Sequence, residues 1–287
     1  MKSGVLLLAH GAPERLEDVA EYLSYVRNGQ PVAPRILAEI KSRYAAIGGR
    51  SPLLHWTRVQ AEALEVLLGI PVFFGMRNWH PFIRETMEQV RAAGIERLAA
   101  ICLAPQYSEM SVGLYRRHTE AVSTVPAVWA RGFHDEPLLI EAFAERLRGC
   151  IEGGSRVLFT AHSLPEKALP PGDPYDAESR AIAAAVAARV GISAWDFAYQ
   201  SQGMSGDGWL GPTVESCLDR YAASGIRRVV LQPVGFVCDH VEILYDVDVM
   251  FRGDAGRRGM ELVRPESLNG SATFTRALAE VARRCLA

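Results

Sequence analysis

The chain has 287 residues, enough for one large core and, more naturally, for two domains of about 140 residues each. Its formal net charge is −2, with 31 basic and 33 acidic side chains interspersed, and no basic tail or stripe marks a nucleic-acid partner. Five cysteines (Cys102, Cys150, Cys217, Cys238 and Cys285) are scattered and odd in number, without CxxC spacing. They argue for a reducing compartment and against a disulfide framework, a zinc knot or an iron–sulfur cluster.

The first apolar run, Val5 to His10, is followed at once by Gly11, Pro13 and acidic residues, so it reads as a buried strand and not as a signal peptide. Further strands are expected at Ile70–Met76, Arg97–Pro105 and Val125–Ala130, then at Arg156–Ala161, Ala194–Ser201 and Arg227–Gly235. Helix-period segments lie between them at Thr57–Leu68, Pro81–Gly94, Pro137–Gly149, Asp176–Gly191 and Thr213–Gly225, and a last amphipathic helix covers Thr273–Ala287. Most of these end at glycine, as helix C-termini do. Apolar strands alternating with helices imply parallel sheets covered on both faces. No uncharged apolar run is long enough to span a membrane.

The halves echo each other. A strand ending Ala9-His10-Gly11 is matched by one ending Ala161-His162-Ser163, and AAGIERLAAICLAPQYS is answered by AASGIRRVVLQPVGFV. The expected architecture is therefore α/β, with two similar Rossmann-like domains at 1–148 and 149–287, parted by the glycines between Arg146 and Ser155, and a site in the cleft between them.

His162 leaves a strand in a loop held by Pro165, where an imidazole can accept protons near neutral pH or bind a metal. The segment DHVEILYD presents Asp239, His240, Glu242 and Asp246 after another strand. Asp239 and Glu242 could form a helix-capping box. That reading leaves Asp246 unused, and Glu242 and Asp246, four apart on a helix, would share a face. Together His162 and Glu242 suit proton abstraction, divalent metal binding, or both. Other local signals are weak: RYAAIGGRSPL lacks the lysine of a phosphate loop, no GxGxxG supports a dinucleotide site, and the glycine-rich stretch Ser201–Pro212 reads as a surface loop.

In order along the chain, RYAAIGGRSPL (Arg43 to Leu53), LAPQYS (Leu103 to Ser108), TAHSLPEK (Thr160 to Lys167), DPY (Asp173 to Tyr175), YQSQG (Tyr199 to Gly203), WLGP (Trp209 to Pro212) and PVGFVCDHVEILYD (Pro233 to Asp246) resemble the ferrochelatase family, which inserts ferrous iron into a porphyrin. The resemblance implies a chelatase-like fold. It implies that His162 accepts pyrrole protons or binds incoming metal, that Glu242 faces it, and that Asp246 lies on a path outward, so that these three would be the metal contacts. It also places Tyr115 near the porphyrin and Arg27, Arg43 and Arg77 near its propionates, with His10 and Ser51 at the substrate.

Two departures stand out. His10 occupies a position where compact relatives often carry tyrosine, so an imidazole would replace a phenolate at product iron if the side chain reaches it, and Met250 replaces a further acidic residue. Similarity to the compact soluble branch implies coproporphyrin III as substrate and coproheme III as product, ahead of protoporphyrin IX. A related cobalt or nickel chelatase is the nearest alternative, and an exported ligand-binding module a rival of another class. Ferrous iron is expected as substrate, with no resident cofactor. Also expected are a cytoplasmic monomer and at most transient contacts with heme-pathway enzymes or an iron donor.

Overall fold

The computed structural model describes residues 2–203 and 208–287. Part of the stretch Ser201–Pro212, expected to be a surface loop, lies outside the described residues. The first half contains strands β1 (Ser3–Ala9), β2 (Val72–Met76), β3 (Arg97–Cys102) and β4 (Ala127–Trp129). Its helices are α1 (Val19–Val26), α2 (Pro34–Ala46), α3 (Leu53–Leu68), α4 (Ile83–Ala92), α5 (Val112–Glu120) and α6 (Pro137–Arg148). The second half contains β5 (Arg156–His162), α7 (Tyr175–Val190), β6 (Trp195–Gln200), α8 (Val214–Ala223) and β7 (Arg228–Pro233). There follow a single turn, α9 (Val241–Leu244), a π-helical segment (Asp246–Phe251), α10 (Arg252–Arg257), β8 (Glu261–Val263) and α11 (Ala272–Leu286).

Both sheets are parallel and follow one topology, β2-β1-β3-β4 and β6-β5-β7-β8. The expected internal repeat is thus a real one: β1 and β5 are the first strand of each unit, flanked on one side by the second and on the other by the third. In such a sheet the chain reverses its winding beside the first strand, and the crevice outside the carboxyl ends there receives ligands. His10 follows β1 and His162 ends β5, so both imidazoles stand at switch points.

Alternate strand residues divide the interior. Val5, Leu7, Ala99 and Ile101 of the first sheet share one core with Val157, Phe159 and Val230 of the second, filled by α3, α6, α7 and α11. The opposite faces pack separately: Leu6, Leu8 and Leu98 meet α4 and α5, whereas Leu158, Val229 and Leu231 meet α8, the π segment and α10. The last helix, although it follows the second sheet, packs against α3, α6 and β3. Its C-terminal carbonyls at Cys285 and Leu286 accept from the Arg97 guanidinium at 3.0 and 2.9 Å, a cation placed where the helix dipole favours one. The two halves therefore share a hydrophobic layer, and their relative placement is fixed by packing.

Helix ends follow local chemistry. Gly69 and Gly191 close α3 and α7 with left-handed φ of 67° and 79°. Thr213 and Ser271 cap α8 and α11 by accepting from Ser216 and Phe274 backbone N–H groups. Sequence periodicity did not give α1, α2, α5 or β8. The three-residue β8 is too short to show a period, and α2 buries only Tyr44, so its apolar stripe is incomplete.

Phe159 is fully buried in the shared core. Phe159→Ala is expected to cost about 3–5 kcal/mol, read as a lower urea midpoint at unchanged m-value; an unaltered midpoint would contradict a continuous core between the sheets.

Candidate active site

A cavity of about 300 Å³ opens where the carboxyl ends of the two sheets meet. Its wall takes His10 and Gly11 after β1, Gln106 after β3, His162 at the end of β5, Gly235–Cys238 after β7, and His240 and Glu242 at the start of α9. Tyr22, Tyr44, Tyr115 and Tyr175 contribute phenols from α1, α2, α5 and α7. A wider depression of about 430 Å³ runs beside β2 near Arg58, His80 and Glu85, but it is more open and contains neither switch-point imidazole.

Two glycines make the close approach possible. Gly11 has φ of 85°, and a Cβ there would come within 2.8 Å of the Trp79 nitrogen. Gly235 lies so near β5 that a Cβ would meet Ala161 at 2.9 Å, one residue before His162. Across the cleft, Gln106 donates to the Val234 carbonyl at 2.9 Å and so ties the loop after β3 to the end of β7.

His162 is oriented from two sides. Its Nδ1 faces the Ser163 carbonyl, and its own carbonyl accepts from the Tyr175 hydroxyl at 2.7 Å. A nitrogen that meets a carbonyl must carry the proton, so Nε2 keeps its lone pair in the neutral ring. That Nε2 lies 3.6 Å from Glu242 Oε2. His240 repeats the device: Nδ1 meets the Cys238 carbonyl at 3.0 Å and Nε2 lies 3.9 Å from the same Glu242 oxygen. About a third of each of the His162 and Glu242 side chains faces the cavity.

Burial opposes the Glu242 charge, but His162, His240 and His10 outweigh it and hold the carboxyl at about 2. Burial likewise opposes a proton on His240, and Glu242 more than compensates, raising that imidazole above its ordinary value. His10 behaves oppositely. Burial and then the Arg77 charge lower it to about 4, so it is neutral at pH 7. Its Nε2 accepts from Asn78 Nδ2 at 3.0 Å, while Nδ1 lies 3.2 Å from both the Gly11 carbonyl and the Tyr22 hydroxyl.

The alternative of a capping box is excluded. His240, not Asp239, is the N-cap of α9, and the Asp239 carboxylate is turned away to Ser267 and Asn269. Glu242 and Asp246 stand four apart on continuous helical backbone, but only Glu242 lies in the cavity wall. A turn of α-helix gives way to the wider π segment at Asp246, whose side chain leaves the cavity wall for Ser201 and Arg43. Among the described residues no three His, Cys, Asp or Glu side chains gather to hold an ion, so His162, Glu242 and Asp246 are not a ready three-ligand centre.

The expected substrate contacts divide. His10, Arg77 and Tyr115 line the cavity, with the Arg77 guanidinium stacked 5.1 Å from the Tyr115 ring. Among the described residues no carboxylate pairs with Arg77. Arg43 is taken by Glu39 at 2.6 Å and Asp246 at 3.8 Å, and lies against the Tyr245 ring. Arg27 is exposed at the end of α1, and Ser51 is buried with its hydroxyl on the Leu53 N–H, so neither is in the wall. His240, Tyr22, Tyr44, Tyr175, Asn78 and Gln106 join the expected residues at the site. His240 was visible beside Glu242, whereas the others lie on elements that only the fold brings together.

A family model described as Ferrochelatase matches residues 2–286. The chain is 47% identical to a ferrochelatase of Acidobacterium capsulatum, covering 98% of this chain and 94% of that one. It is 34% identical to a coproporphyrin III ferrochelatase of Halalkalibacterium halodurans, covering 100% and 98%. Among solved structures, the sirohydrochlorin chelatase SirB from Bacillus subtilis subspecies spizizenii, in complex with cobalt, superposes with a TM-score of 0.63 at 10% identity over 99% of this chain and 95% of that one, a likeness of fold.

Burial, then the Glu242 charge, raise the Asp246 carboxyl from 3.8 to about 6 against the help of Ser201 and Arg43. The folded state therefore favours the protonated acid, a contribution present below pH 3.8 and lost as pH rises through 6. Asp246→Asn is expected to melt above the wild type at pH 8, with the gap closing between pH 6 and 4; a gap independent of pH would refute the assignment.

Proposed function

Because the chain belongs to the ferrochelatase family, we propose that it inserts ferrous iron into a porphyrin, with coproporphyrin III as the preferred ring and coproheme III as the product. The observation that carries this reading is the pair of imidazoles, each anchored through Nδ1 to a backbone carbonyl, that present Nε2 to the one carboxylate of Glu242 in the cavity wall.

Iron insertion exchanges two pyrrole protons for one divalent cation. The His162 Nε2 lone pair is the proton acceptor, and Glu242 balances the charge that the ring acquires, which is what a general base near neutral pH requires. Asp246, one turn further with a carboxyl titrating at about 6, passes the proton outward. Binding contacts along the cavity wall hold the macrocycle out of plane, so that its inner lone pairs are exposed to the ion. Iron is a substrate here, met transiently by His162 and Glu242. His10 is neutral and would have to give up Asn78 before its Nε2 could reach product iron.

Arg77 supports a carboxylate-bearing ring: a cation inside the cavity, stacked on Tyr115 and with no carboxylate partner among the described residues, favours an anionic substrate group. With Arg43 committed to Asp246 and Glu39, the propionate argument rests on Arg77 and on the exposed Arg27. No helix among the described residues is long and apolar enough to cross a membrane. The reading includes a cytoplasmic monomer with only transient pathway partners.

His162→Ala is expected to lower iron insertion by about 10²–10⁴-fold while porphyrin still binds, followed by quenching of its fluorescence. Turnover like that of the wild type would remove His162 from the mechanism. Anaerobic insertion compared side by side is expected to give coproporphyrin III a specificity constant about tenfold or more above protoporphyrin IX, since each charge-assisted contact contributes about 1.5–3 kcal/mol. The reverse order would overturn the choice of ring and leave the role of His162 standing.

A further inference from the structure

One buried side chain bridges the two ends of the segment bearing His240, Glu242 and Asp246, where Arg252 also reaches Asp248 at 3.3 Å and Gln200 donates to the Glu242 carbonyl at 3.0 Å. Arg264, just past β8, is only 10% exposed and reaches two carboxylates that bracket the segment. Its Nη1 lies 3.3 Å from Asp239, immediately before His240, and its Nε and Nη2 donate to the two oxygens of Asp248 at 2.8 and 2.7 Å, inside the π segment. Asp239 is completed by Ser267 at 2.7 Å and Asn269 at 2.9 Å, and Asn269 returns a bond to the Asp239 N–H at 2.9 Å.

Bulk stability does not call for this arrangement. A largely buried ion cluster is commonly no more stabilising than apolar packing of the same volume, because each charge must first be desolvated. What a bidentate guanidinium adds is direction, because it fixes the distance and plane of its partner. The backbone it grips needs that. The Tyr245 carbonyl accepts from both the Val249 N–H at 3.1 Å and the Met250 N–H at 2.9 Å, so the α and π registers compete at that turn. A slip of one residue in a helix rotates side chains by about 100°.

We propose that Arg264 is a positioning residue, a clamp across Asp239 and Asp248 that fixes the register of the intervening turn and so aims Glu242 at the His162 and His240 imidazoles. The proposal rests on the reading of that cluster as the proton-accepting centre. Arg264 lies outside the cavity wall and acts through the backbone between its two partners.

The test compares Arg264→Met and Arg264→Lys with wild type, and uses Asp248→Asn, which keeps side-chain shape, should the methionine variant not fold. On protein shown folded by near-ultraviolet circular dichroism, kcat for anaerobic iron insertion is expected to fall tenfold or more in Arg264→Met and Asp248→Asn. The porphyrin KM should stay within about twofold, the pH profile of kcat should move, and Arg264→Lys should recover only part of the loss. A lower melting temperature with unchanged kcat and pH profile would reduce Arg264 to a structural ion pair and overturn the proposal. Nitrogen-15 NMR of the imidazoles separates the two levels of inference. Altered His162 and His240 titration in Arg264→Met supports the clamp even if wild type inserted no iron, which would count against the functional reading, whereas unaltered titration overturns the clamp whatever the activity.

Discussion

Everything in the cleft depends on one half-buried carboxylate. Glu242 would not keep its charge in a largely desolvated cavity by itself, since removal from water favours the neutral acid. It does so through the positive charge that the His162 and His240 imidazoles carry when protonated, since backbone carbonyls at Ser163 and Cys238 hold their Nδ1 atoms and leave Nε2 facing the carboxylate. The electrostatics of the site is thus set by the geometry of two strand ends and one helix start.

That geometry is delivered by the shared layer of α3, α6, α7 and α11. Each sheet gives one face to it, and α11 crosses back to the first half, so the strand ends of the two units are held at a fixed separation. The cavity is consequently lined from both sheets, with tyrosines from four helices closing its sides. A repeat that built two similar units gave them different chemistry: His10, near Arg77, is kept neutral, while His162, near Glu242, faces a negative charge.

The contrast between Glu242 at about 2 and Asp246 at about 6 arises across about one turn of chain. Glu242, half-buried, is surrounded by imidazoles, whereas the buried Asp246 has a serine, a distant guanidinium and the neighbouring Glu242 charge. Asp246 lies outside the cavity wall, on Ser201 and Arg43, and that separates its surroundings from those of Glu242.

Much of this was legible in the sequence. The apolar runs determined parallel buried strands because both faces of such a sheet are covered and most of its residues are apolar. The matched Ala-His ends at His10 and His162 revealed the repeat, and the blocks around His162 and Glu242 carried the family resemblance. What the sequence could not settle was anything that depends on partners distant along the chain. It offered Asp239 and Glu242 as a capping box, whereas Asp239 is drawn away by Arg264, Ser267 and Asn269. It counted Arg43 among cations free for substrate, whereas Asp246 and Glu39 neutralise it, and it left Arg77 no better supported than Arg27. Local pattern determines which faces are buried, because burial follows the period of the backbone; which charges remain unpaired is decided only by tertiary structure, because a counter-ion is chosen by distance in space and not along the chain.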